Sequence, residues 1–181
     1  MKKIHAVHKQ FMDIFARYFI LVLAAIPSFW IFYLIFTSLT IYPTFLILNL
    51  LFDSILIKNV IIINNEIPIE IIKACIAGSA YYLLLVLNLS TPKINVKKRI
   101  KMIFVASSAL LIMNILRIVF LSVIFLEGFP FFVLAHQFFW YFLSTVFVVA
   151  IWFSEVKFFK IKEIPFYSDF KFLHKHSFLK R

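Results

Sequence analysis

The chain has 181 residues, of which 64% are hydrophobic and 15% charged, with a formal charge of +11. That composition excludes an ordinary soluble domain, and two glycines among long Leu, Ile, Phe and Val runs favour helices over a barrel of short alternating strands. The basic residues sit in loops and tails between apolar runs, which excludes a nucleic-acid-binding face and makes them topology determinants of an all-α, polytopic membrane helical bundle.

Residues 1–17, with Lys2, Lys3, Lys9 and Arg17, read as a basic interfacial segment, since no cleavage site follows a short apolar core. Residues 18–39 form a first predicted span, kinked at Pro27. Residues 41–57 form a second, in which Asn49 and Asp53 face protein rather than lipid. Two β-branched runs, 60–63 and 67–72, flank Asn64-Asn65-Glu66 and predict a short extracytoplasmic β-hairpin, with Pro68 placing its strand at an edge or a bulge. The third span, 74–89, begins at Cys75, the only cysteine, and small residues including Gly78 and Ser79 allow another helix or an extended peptide to approach.

The loop 91–101 carries Lys93, Lys97, Lys98, Arg99 and Lys101 without an acid and is assigned to the cytoplasm. The fourth span, 102–126, therefore runs outward and contains Asn114 and Arg117. After a turn at Glu127-Gly128-Phe129-Pro130, His136 opens the fifth span, 136–154. Residues 155–181 form a basic interfacial tail. Three divisions result: 1–17, a membrane-embedded domain 18–154, and 155–181. Five spans with a cytoplasmic tail leave the basic amino terminus outside, so either that end is exported despite its charge or one of the first two runs is re-entrant.

Arg117 is the most expensive placement in the chain. A charge near the bilayer centre costs at least ~2.5–3.5 kcal/mol, which marks a functional site with a partner to be found. Asn114 lies one turn earlier on the same face. Cys75 and His136 head their spans on the outer side, and Arg117 lies about 8 Å of helix rise below that boundary. An imidazole activates a thiol, a thiolate attacks an amide carbonyl, and a desolvated guanidinium stabilises the resulting oxyanion. Taken singly, each residue has a plainer reading: a packing cysteine, an interfacial histidine, a snorkelling arginine. Their order along consecutive spans favours acyl transfer through a thioester.

Over residues 41–154, with Ala74-Cys75 at a helix head, a basic inner loop, Asn114-Ile-Leu-Arg117 and His136, the sequence resembles the exosortase/archaeosortase family of membrane cysteine transpeptidases. The resemblance departs after the cysteine, where Ile76-Ala77-Gly78 stands in place of a small pair directly following it. It implies that Cys75 is the nucleophile, Arg117 the oxyanion or carbonyl binder, and His136 the general base and acid, with Asn114, Gly78 and Ser79 in support. It also implies a plasma-membrane enzyme whose active site faces outside, cleaving the carboxy-terminal sorting signals of exported proteins that carry a transmembrane helix. A lipid is one acceptor it allows, and no metal or organic cofactor is implied. Two other readings stand beside it: a non-catalytic membrane scaffold in which Arg117 pairs with Asp53 or Glu127, and a small transporter or channel subunit in which Arg117 binds an anion.

Overall fold

The computed structural model describes residues 2–26 and 29–176. The chain is mostly helical, with one small antiparallel sheet. Its elements are α1 (Lys2–Ala25), α2 (Trp30–Leu51), β1 (Ser54–Ile57), β2 (Val60–Ile63), β3 (Ile67–Glu70), α3 (Lys73–Ile76), α4 (Gly78–Leu89), α5 (Val96–Leu126), α6 (Phe132–Phe138), a π turn (Phe139–Leu143), α7 (Ser144–Phe158) and α8 (Tyr167–His176). Two of these, α2 and α5, with 22 and 31 residues, are long and apolar enough to cross a membrane. Their outward faces carry large apolar side chains such as Leu34, Leu46, Phe104 and Ile112.

The first half of the chain differs from the sequence expectation. α1 ends at Ala25 and α2 starts at Trp30, so the boundary does not fall near position 40, and α2 continues through Thr40 and Pro43 to Leu51. Thr40, Ile41 and Thr44 are all buried, so packing holds the helix across the expected boundary. Phe29 supplies the real stop: its left-handed backbone, φ 61° and ψ 22°, turns the chain just before Trp30. The kink expected at Pro27 lies outside the described residues. Residues 54–57, assigned to the second span, instead form β1. Asn49 fixes that change of direction, its Oδ1 accepting from the Ser54 N–H and Oγ at 3.3 and 3.2 Å.

The expected hairpin is present as β2 and β3, and β1 extends it to a three-stranded sheet in the order β1-β2-β3. One face of β2 is the buried one: Ile61 and Ile63 pack with Leu48, Ile41, Ile71 and Ile76 in a core that ties the sheet to α2 and α3. A second core, built on Phe32, Tyr81, Leu84, Ala106, Leu110 and Val148, joins α2, α4, α5 and α7.

Contacts give α1 and α2 a common direction. Arg17 on α1 bonds the carbonyl of Leu89 at the end of α4, the Leu21 carbonyl accepts from Tyr82 Oη at 3.3 Å, and Phe36 on α2 stacks on Tyr81. Leu48 then packs against Ile76. The two helices thus climb in series along α4, from its carboxy-terminal end to the sheet.

The far end from the sheet gathers the basic segments and both terminal helices. Arg17 Nη1 and Nη2 donate to the two carboxylate oxygens of Asp169 on α8, both at 2.9 Å, and its Nε donates to Asp13 at 3.0 Å. Arg99 closes the end of α4 by donating to the carbonyls of Asn88, Leu89 and Thr91. Lys93 pairs with Glu163 at 2.8 Å, and the Phe166 N–H donates to Ser90 O at 3.0 Å. Arg17 and Arg99, expected as surface topology residues, are therefore buried and structural, because each finds enough oxygen acceptors to replace water.

Candidate active site

Cys75 sits in α3, a single turn between the sheet and α4. Its N–H donates to Ile72 O at 2.9 Å. Asn114 Nδ2 on α5 donates to the Cys75 carbonyl at 2.7 Å, so the residue expected to accompany Arg117 instead positions the cysteine backbone. The third span is interrupted at Ala77, whose φ of 58° and ψ of 41° separate α3 from α4. A left-handed conformation costs a non-glycine residue about 1–2 kcal/mol, and here it turns the cysteine-bearing turn off the α4 axis. Gly78 has a packing role: a Cβ there would stand 2.8 Å from Cζ of Tyr33, so the bare glycine lets α2 approach. Ser79 is exposed and takes no part in the cavity described below.

Arg117 lies three residues beyond Asn114 on α5. Its Nη1 donates to Ser144 Oγ at 2.8 Å, and that hydroxyl donates to the Phe139 carbonyl at 3.0 Å. The five-residue spacing between Phe139 and Ser144 is that of the π turn itself. Among the described residues no salt bridge includes Arg117, so the pairing with Asp53 or Glu127 required by a scaffold role is not formed.

His136 was expected to open its helix. The helix starts a turn earlier, at Phe132, because the preceding turn ends at Phe131 and the Phe132 ring packs on Phe125 with centroids 5.0 Å apart. His136 therefore sits in the second turn of α6, its ring between Phe132 and Trp140 at centroid distances of 5.8 and 5.6 Å.

Cys75, Arg117 and His136 line one cavity of about 230 Å³ between β3, α3, α5 and α6. Its remaining wall is largely apolar, with Ile118, Leu121, Phe125 and Phe139, and Ser122 and Glu70 add polar groups. A thiol, an imidazole and a guanidinium thus share one space in which water is partly excluded, the setting in which hydrogen-bond donors act most strongly on a developing charge. No metal-ligating group of three or more His, Cys, Asp or Glu occurs among the described residues. Sequence reasoning missed Ser144, the π turn and the cavity-facing edge of β3. Of these only Ser144 leaves a trace, as a polar residue within an apolar run.

No protein-family model matches the chain, and no curated protein or solved structure matches it.

Proposed function

We propose that the chain is a membrane-embedded cysteine transpeptidase or protease acting on exported polypeptides. The observation that carries this reading is the convergence of Cys75, Arg117 and His136, from three separate helices, on one cavity. In this scheme His136 takes the thiol proton, and the Cys75 sulfur attacks the scissile carbonyl carbon. The Arg117 guanidinium, with donors to spare beyond Ser144, stabilises the oxyanion. Collapse of the tetrahedral species breaks the C–N bond, His136 returns its proton to the leaving amine, and a thioester remains for an incoming nucleophile. The resemblance to exosortases and archaeosortases supplies the substrate class: surface proteins with a carboxy-terminal sorting signal and transmembrane helix.

The end rich in lysine and arginine is read as cytoplasmic, and the sheet and cavity as outer. With α1 and α2 in series as one pass, followed by α4, α5 and the α6–α7 segment, the chain makes four passes. The basic amino-terminal segment then falls on the cytoplasmic side, which removes the charge conflict of a five-span arrangement.

The test is alkylation of Cys75 by a membrane-impermeant maleimide in sealed, right-side-out cells, comparing wild type with His136→Ala across pH. Rapid labelling at neutral pH that slows in the variant is expected. Slow labelling that the variant leaves unchanged makes Cys75 a packing residue and removes the nucleophile.

A further inference from the structure

Three successive residues of β3, Pro68, Ile69 and Glu70, line the cavity that holds Cys75. Successive side chains on a strand point to opposite faces of its sheet. A cavity that touches all three therefore abuts the strand's edge. β3 is the outer strand of the sheet, and this edge has no strand partner among the described residues.

The register identifies the backbone groups on that edge. The Asn64 N–H donates to Asp53 O at 2.7 Å, and the Ile71 N–H to Asn59 O at 2.8 Å. These bonds continue the β1–β2 and β2–β3 registers, in which Ser54 faces Ile63 and Val60 faces Glu70. Because antiparallel partners alternate between bonded and non-bonded pairs, Ile67, Ile69 and Ile71 turn their backbone groups toward β2. Positions 68 and 70 turn theirs outward. Proline has no N–H, so the cavity edge presents the Pro68 carbonyl and both the N–H and carbonyl of Glu70. The Glu70 side chain is engaged on its own hairpin, its Oε1 accepting from Asn59 Nδ2 at 3.1 Å.

We propose that the edge of β3 is the docking strand for the polypeptide substrate, which adds as a short fourth strand and is thereby laid past the Cys75 thiol. The occupant is an extended peptide because the edge offers what only a peptide backbone complements: an N–H and carbonyl pair at one residue, with a further carbonyl two residues away. The apolar wall of Leu121, Phe125 and Phe132 receives side chains of the added strand, the usual division between backbone affinity and side-chain specificity. Pro68 withholds one donor, which blocks continuous edge-to-edge pairing between copies of the sheet and keeps the docked segment short. This inference rests on the acyl-transfer reading for the orientation of the peptide toward Cys75.

The experiment measures alkylation of Cys75 in the full chain in detergent micelles, read by mass spectrometry. The probe is acetyl-tetraalanyl chloromethyl ketone, whose chloride is displaced as the sulfur–carbon bond forms. Iodoacetamide, too small to span the edge, provides the reference rate, and the ratio of the two is the readout. Loss of one backbone hydrogen bond corresponds to about a fivefold to tenfold change. Glu70→Pro, which deletes the outward N–H, is expected to lower the ratio by that factor, and Pro68→Ala, which adds one, to raise it. On the wild-type chain, N-methylating the probe's amides one at a time is expected to impair every second position, and this series decides the matter if Glu70→Pro fails to fold. A ratio indifferent to both substitutions, or N-methyl effects without the two-residue period, overturns the docking strand. Iodoacetamide labelling at neutral pH no faster than that of a free thiol overturns the acyl-transfer reading instead, and leaves the ratio to decide the edge by itself.

Discussion

At the basic end of the molecule Arg17 meets two carboxylates and a carbonyl, whereas at the sheet end Arg117 meets a single hydroxyl. Both guanidiniums are largely withdrawn from solvent, and each has five N–H donors. Arg17 spends its donors on the chain itself and so joins α1, α4 and α8. Arg117 keeps most of its donors free, beside a thiol and an imidazole. Burial of an arginine is thus a poor guide to its task; the number of acceptors already committed to it separates a structural cation from one available to a ligand.

The largest effect that sharpens this contrast is expected from Asp169→Ala. Removing one partner of a buried pair leaves the other uncompensated, so stability in a denaturant titration of the micellar protein should fall by about 3–5 kcal/mol. Arg117→Met should do the reverse: on the proposed acyl-transfer reading, thioester formation falls by a factor of about 10²–10³, as for loss of an oxyanion donor, while stability stays level or rises. If Arg117→Met unfolds the protein as Asp169→Ala does, the contrast collapses and Arg117 is structural. A smaller loss, about 1 kcal/mol, is expected for Gly78→Ala, since the added methyl displaces only the ring tip of Tyr33. Thermal unfolding should register it, with Cys75 labelling slowed if the α3 turn moves in consequence.

The smallest effect concerns pH at the basic end. Hydrogen bonds from Lys93 and Ser168 hold the Glu163 carboxyl below its ordinary range. A depressed carboxylate contributes stability above its unfolded pKa of about 4.3, and loses it as pH falls through the lower folded value. Lys93 is 65% exposed, so the contribution is screened to about 0.5 kcal/mol. Thermal unfolding across acid pH should show this slope in wild type and a shallower one in Lys93→Ala.

Much of the sheet end was legible in the sequence. Arg117 announces itself by cost, the Asn64–Glu66 turn by residue type, and Pro68 by its missing donor, and the outermost placement of β3 agrees with that last reading. The divisions of residues 18–57 were not legible, because Leu39-Thr40-Ile41 carries no break signal of its own and the stop at Phe29 is a backbone choice an aromatic residue does not advertise. The break at Ala77 was hidden for the same reason: alanine is the strongest helix former, and only tertiary packing forces it left-handed. The basic residues misled in the opposite sense. Arg17 and Arg99 read as loop charges because their acceptors, Asp169 and the end of α4, are remote in sequence or belong to the backbone.

The π turn between His136 and Ser144 sets how the two ends of the α6–α7 segment are rotated relative to each other. A π turn holds one residue more than the α-helical turn it replaces, so it absorbs an extra residue without rotating the helices on either side of it. Were residues 139–143 to rewind as an ordinary α-helix with none removed, everything on the amino-terminal side would rotate by about 100° about the axis relative to Ser144. The histidine would swing away from the cavity, while the serine that steadies Arg117 stayed in place. Deleting one residue of 139–143 would instead let the α-helix close with His136 and Ser144 in nearly their present relation, so the site's geometry is stored in how this turn is wound as much as in the identities of its residues.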